Sequence, residues 1–548
     1  MARQSTTPVA FNRSTRTDTS VLMSSGRAGQ VCPVGYIPLL AGDSCSGRIG
    51  VDFDMAEMPK PLLNGVILNL QAWFIPKSSQ PQFSGYDEFL AAFQGHQIKQ
   101  LGAADRNAPA FFSKIFDTPD VATLNSSAFF NTLGLHVPVA TKTQSDLIDA
   151  FALVHNFRLA SHSSKLARVK YAAENVAEAL SLKRAFWGSG RFSRVVPDYE
   201  KALVMGSLDL DVTAGQVPIS GLWAEHAVVT KSNQLLEKGG ETLSAAYNHT
   251  FSPLYAHRST ATGGSGLLEK INAEMAGMTI GTSLADIDRA RDTQAFAKVR
   301  ASYAGNDSTG FDNDDAITAH LMQGLSVPAD QFKRPWLLDS VRQGFGFTQR
   351  HATDAANLDQ SVSVGRASAT LSLNVPQNDV GGLIIILAEI LPERLDERQS
   401  DEWLHITDHN EYPNALRDVL RTNPVDVVQN RRLDARHATP LGLYGYEPMN
   451  DKYNRSTTRL GGKFYQADPT NPFKEARSAI WQTSVINPSY TADHFLAPEN
   501  FPHSVFSDTL APAFEFTARH NVSIVGLTQI GDVLYEDNND YQPTQEGN

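Results

Sequence analysis

The charges best suited to a chemical task sit near the start of the chain. Arg3, Arg13, Arg16 and Arg27 fall within the first thirty residues against a single acid, Asp18. The whole chain carries a net charge of -12, so a basic stretch on an acidic body points to a polyanion met on one side only. A solvated tail explains the same charges equally well. Elsewhere, residue types that do chemistry occur without the spacing that chemistry needs. Gly461-Gly462-Lys463 is followed by Phe464, where a phosphate-wrapping loop requires Ser or Thr. Gly264-Ser265-Gly266 lies in a soft Gly/Ser/Thr stretch and lacks the pattern of a strained nucleophile elbow. His405 and His409 are four residues apart but have no Glu after the first His, so a solvent-facing or hydrogen-bonded pair is expected rather than zinc. Asp312, Asp314 and Asp315 offer oxygen ligands for Ca²⁺, yet the glycine and distal Glu of an EF-hand are missing. A helix start favoured by acids accounts for them. No catalytic residue, metal or cofactor is expected.

The elements that must carry these residues are mostly strands. Val66, Leu68, Leu70, Ala72 and Phe74 share one face, with Asn69 and Gln71 on the other before Pro76 ends the run, the period-two mark of a strand. The same alternation runs through residues 208–213 and 369–375, and a buried apolar run covers 383–387. Near the end, Phe514, Phe516 and Ala518 lead into 522–527, with Gly526 read as a bulge. Helical spacing marks Leu166, Val169, Ala173, Val176, Ala177 and Leu180, and Ser283 with Asp286 opens a helix over 284–303. Strands so scattered, without glycine-rich βα turns, predict an antiparallel sandwich with helical insertions.

Composition agrees. The 548 residues are 41% hydrophobic and 19% charged, which suits a globular chain with a large core and excludes disorder, collagen and simple coiled coil. Cys32 and Cys45 are too few for a disulfide framework and read as structural thiols of a reducing cytoplasm. The amino terminus has no apolar signal core, and the longest apolar run, 381–391, contains Glu389; a membrane helix needs ~20 apolar residues. A soluble, non-exported protein with no membrane partner is the expectation.

The two ends together carry a more specific signal. Phe11-Asn12-Arg13-Ser14 is followed by GQVCPVGYIPLLAGDSC at 29–45, Met58-Pro59-Lys60-Pro61, Asn64 and a strand ending Trp73-Phe74-Ile75-Pro76. Residues 283–303 (SLADIDRARDTQAFAKVRASY), 443–464 (LYGYEPMNDKYNRSTTRLGGKF) and 522–533 (VSIVGLTQIGDV) follow in order. This series resembles the major capsid protein family of the Microviridae, the small icosahedral single-stranded DNA bacteriophages. Ala41 before Gly42-Asp43, Glu447-Pro448 and the spread Tyr453-Asn454-Arg455 depart from the family pattern, as in a divergent branch.

The resemblance implies a mainly β fold, an eight-stranded antiparallel jelly roll of viral capsid type with long loop and helix insertions. It implies a structural, non-enzymatic protein that self-assembles through pentamers into a sixty-copy T=1 shell around a circular single-stranded DNA genome. Expected partners are other copies, the DNA, a small DNA-binding protein, a pilot protein and a host receptor. Its place is the virion, assembled in the host bacterial cytoplasm. Within one capsid domain spanning 1–548, the expected layout is as follows. A basic arm over 1–30 has Arg3, Arg13, Arg16 and Arg27 facing DNA, and residues 31–222 hold the first barrel strands with a helical insertion. An outer-surface insertion covers 223–278, helices and further strands 279–440, closing strands 441–535, and an acidic tail 536–548. The arm is expected to be solvated, so that replacing its arginines leaves the barrel intact. Rival readings are a carbohydrate- or receptor-binding β-sandwich and a cupin-like metal-dependent enzyme.

Overall fold

The computed structural model describes residues 12–80, 112–116, 118–138, 141–162, 166–188, 190–197, 219–224, 256–258, 267–269, 271–275, 334–351, 361–378, 381–395, 398–409, 412–420, 425–454, 459–461, 464, 479–483 and 486–531. The chain divides into two compact units, 204–298 and the remainder. In the smaller unit Ile219–Ala224 pairs with Ile271–Met275, and Ala256–Arg258 with Leu267–Glu269, both antiparallel. Most of the expected 223–278 insertion, the strand at 208–213, the helix at 284–303, the acidic cluster at 312–315 and the tail at 536–548 lie outside the described residues.

The larger unit is mainly β. Besides the small pairs Ile115–Phe116 with Thr143–Gln144 and Val425–Gln429 with Leu443–Pro448, its strands are β1 (Ser14–Gly26), β2 (Gln30–Leu39), β3 (Ser44–Met55), β4 (Val66–Pro76), β5 (Trp336–Gly344), β6 (Gly346–His351), β7 (Ser361–Val375), β8 (Gly382–Pro392) and β9 (Phe514–Gly526). The nine numbered strands form two antiparallel sheets, ordered β1-β9-β3-β7-β6 and β5-β4-β8-β2, with Lys183–Arg184 added beside β2. Consecutive strands β1 to β4 alternate between the sheets. The chain crosses back at Phe345, which is buried between Gly344 and Gly346 and donates its N–H to Val66 O at 3.0 Å.

The first sheet has one wet face, and its sequence shows why. In β7, Ala367, Ala369, Leu371, Leu373 and Val375 are buried, while Arg366, Ser368, Thr370, Ser372 and Asn374 between them are exposed. β3 and β9 follow the same rule, with Phe53 packed edge-on to Phe514. The second sheet is covered on both sides. Every residue from Ile384 to Ile390 is buried, because the helix α1 (Asp146–His162) lies over the face turned away from the first sheet. Phe157 of α1 meets Trp73 at 6.0 Å, and Arg158 pairs with Glu389 at 2.7 Å. A single apolar cluster draws on both sheets and on α1. Each large side chain fully buried there contributes ~1.5–3 kcal/mol.

Two expectations are corrected. The helical stripe from Leu166 to Leu180 is helix only over Val176–Leu180. Upstream, side chains of α1 take up the backbone groups a helix would need. Asn156 bonds both N–H and C=O of Val169 at 2.7 and 2.9 Å, and Asp149 accepts from Ala172 N at 2.8 Å. The long helix is α1 itself, whose apolar residues run all the way round and so show no stripe. Gly526 is not a bulge, since the pairing of β9 with β1 is unbroken from Gly526↔Ser14 to Phe514↔Gly26.

Candidate functional site

The arginines singled out by sequence fall on β1 and its flanks. Arg3 lies outside the described residues. The stretch expected as a solvated arm is, from Ser14 to Gly26, an edge strand paired along its whole length with β9. Arg13 and Arg27 are exposed at its two ends. They stand roughly 45 Å apart at ~3.3 Å per residue, too far to share one phosphate. Arg13 donates to Gln377 Oε1, and Arg27 to Thr509 O at 3.5 Å.

Arg16 is different. Its side chain turns toward the sandwich, where the guanidinium grips both oxygens of Asp43, one of them at 3.1 Å. Asp43 is fully buried and also accepts the N–H of Leu40 at 2.6 Å. The turn that presents it needs Gly42 at φ +80, and that glycine's N–H donates to Asn378 O at 2.6 Å. A Cβ on Gly526 would lie 1.8 Å from Asp43 Oδ1. One carboxylate thus joins β1, the β2–β3 turn and the end of β9. This bidentate pair spends the charge of Arg16 within the subunit. The expectation of a removable, solvated guanidinium is therefore corrected at this position.

Further along the same strand His520 bridges two β1 side chains. Its Nδ1 meets Ser20 Oγ at 2.9 Å and its Nε2 meets Asp18 Oδ1 at 3.0 Å. Ser20 and His520 are directly opposed across the strand pair. Burial pushes the thiol of Cys45 up to about 11, with the Asp18 and Asp43 charges adding to it, and burial takes Cys32 to about 12. Both cysteines are free, buried and protonated at neutral pH.

The remaining candidates are dispersed. His405 Nε2 meets Ser400 Oγ at 2.7 Å, whereas His409 Nδ1 meets Asp408 at 2.9 Å. Gly461 is described, but Lys463 and Gly264 to Gly266 are not. Among the described residues no three His, Cys, Asp or Glu side chains converge as a metal site, and no helix is long and apolar enough to cross a membrane.

Sequence reasoning missed the roles of Asp43, Asp18, His520 and Glu389. An Asp after Gly between two alternating segments was a usable signal for the first. The others pair across 502 and 231 positions of chain, and no local pattern announces them.

The outer face of β1 presents Thr15, Thr17, Thr19, Val21 and Met23 to solvent, with one exposed guanidinium at each end. No protein-family model and no curated protein matches the chain.

Proposed function

We propose that the chain is the structural subunit of a small icosahedral shell enclosing single-stranded DNA, as the resemblance to microvirus capsid proteins implies. The observation that carries the reading is strand order. Setting aside the short β6, the eight long strands fall into β1-β9-β3-β7 and β2-β8-β4-β5. Such an order supports a jelly-roll reading, in which two Greek keys fold together. Jelly rolls also serve lectins and cupins, so the fold ranks the possibilities without choosing among them.

The site favours assembly over catalysis. Asp43, Glu389, His494 and His520 are committed to partners inside the subunit. In this reading Arg3, Arg13 and Arg27 face the genome, held by charge and without sequence reading, while Arg16 braces the strand that carries them. Other copies of the chain, the DNA, a small DNA-binding protein, a pilot protein and a host receptor are the proposed partners, and the virion is the proposed location.

The test is native size. Expressed chain, sized by analytical ultracentrifugation and imaged by electron microscopy, should form pentamers or a megadalton particle. A stable monomer or trimer under all assembly conditions would refute the proposal.

A further inference from the structure

The wet face of the first sheet has two halves that treat their polar groups differently. Directly opposed residues on neighbouring strands point to the same side, so the register sets the side chains in rows across the sheet. One row is Thr19, Asn521, Arg48 and Ser372, running from β1 through β9 and β3 to β7. The next row, toward the β2–β3 turn, is Thr17, Ser523, Ser46 and Asn374. Toward the other end of the same strands, Asp52 stands beside Ser368 and Asp54 beside Arg366.

In that acidic half the charges are already engaged. Asp52 accepts from Ser368 Oγ at 2.7 Å and from Arg519 at 3.2 Å, and Arg366 meets Asp54 at 2.6 Å. The other half is uncommitted. Arg48 is exposed, and among the described residues neither it nor any other side chain of its two rows has a hydrogen-bond or ion-pair partner. No acid occupies either row. The nearest acid on the same strand, Asp52, lies about 13 Å along it at ~3.3 Å per residue. At the rim, Asp339 has its two oxygens on the backbone N–H groups of Ser340 and Ser372, both at 2.8 Å.

An unpaired guanidinium amid hydroxyl and amide donors fits a ligand that is anionic and only accepts, as phosphate oxygens do. Neither row holds an aromatic ring on which a base could stack, or an apolar side chain to seed a protein interface. We infer that these two rows bind the phosphodiester backbone of single-stranded DNA, with Arg48 as the anion-binding residue. The inference deepens the shell reading and rests on it for the identity of the polyanion. It puts the genome-facing surface on the sheet itself, at the end where Arg13 precedes β1.

Fluorescence anisotropy of the full-length chain with labelled oligo(dT) and oligo(dA), across a salt series, tests the site. Arg48→Ala should weaken binding about fivefold or more for both sequences and lower the salt slope by ~0.7, the share of one phosphate on a single strand. Asn521→Asp puts beside Arg48 the acid its rows lack, and should weaken binding as much with the guanidinium still present. Removing the engaged pair by Arg366→Ala with Asp54→Ala should leave affinity within about twofold. Arg48→Ala should melt as wild type does; a much lower melting temperature overturns the inference, since the guanidinium would then be used inside the subunit. Wild-type affinity in both Arg48→Ala and Asn521→Asp, or no oligonucleotide binding by wild type, also overturns it. So does displacement of the oligonucleotide by a neutral oligosaccharide. Sedimentation of the same samples keeps the two readings apart. Pentamers or particles alongside any of these negative results leave the shell reading standing, whereas a stable monomer that binds DNA through Arg48 supports the site and overturns the shell.

Discussion

Arg16→Ala should destabilise the subunit far more than Arg13→Ala or Arg27→Ala, although all three remove one guanidinium from the same strand and its flanks. Asp43 keeps no exposed side-chain surface, while Arg16 keeps 23%. Removing one partner of a buried pair costs ~3–5 kcal/mol, because the other charge stays desolvated and uncompensated. Two features reduce that figure here: water already reaches part of Arg16, and the Leu40 N–H at 2.6 Å still stabilises the carboxylate. The expected loss is therefore ~2–3 kcal/mol, against less than ~0.5 kcal/mol for an exposed arginine. Equilibrium urea unfolding followed by circular dichroism measures each variant. A cycle with Asp43→Asn isolates the pair, because the neutral amide no longer needs the guanidinium. In that background Arg16→Ala should cost less than ~1 kcal/mol, giving a coupling of ~1–2 kcal/mol. Equal losses for Arg13→Ala and Arg16→Ala, or no coupling with Asp43→Asn, would refute the assignment of Arg16 as a brace.

Two buried groups should give the stability profile opposing slopes in acid. Burial lowers His494 from 6.5 to about 4, and its neutral ring accepts from Tyr444 Oη at 2.7 Å and donates to Phe192 O at 2.9 Å. The unfolded chain therefore binds the extra proton first, and stability is lost as pH falls from 6.5 toward 4, by up to ~3 kcal/mol. Asp149 runs the other way, since burial raises it from 3.8 to about 6. The folded state holds its proton through that window, and stability falls as pH rises across it. Asp149→Asn can still accept from Ala172 N and donate to Ser145 Oγ, so it should stabilise the protein at pH 7 by ~1–3 kcal/mol and add nothing below pH 4. Urea midpoints from pH 4 to 8 would expose a missing or reversed slope. Gly526→Ala should cost ~3 kcal/mol or more, because its methyl would collide with Asp43; a melting temperature equal to wild type would contradict the packing described at that end of β9.

Part of the strand pattern was legible in the sequence, whereas Ser14–Gly26, expected as an arm, is a strand because it pairs with β9. Alternation in 66–72, 369–375 and 514–518 is a local property, enforced by the two-residue period of an extended backbone, and the burial of these residues follows it in the folded protein. The apolar run in Gly382–Pro392 likewise announced a strand with no wet face. Helices were less legible. Asp146–His162 is apolar on every side, and the stripe at 166–180 is overruled by Asn156 and Asp149, which hold its backbone in another conformation. The fate of individual charges, by contrast, is settled by the assembled sheets. Arg13 and Arg16 are three residues apart and chemically identical, yet one stays exposed while the other is spent on Asp43. That difference depends on which way one strand faces once it pairs with a partner 500 residues away. Local sequence sets the period of a strand, whereas its register and neighbours, and so the solvation of each charge, belong to the assembled sheet.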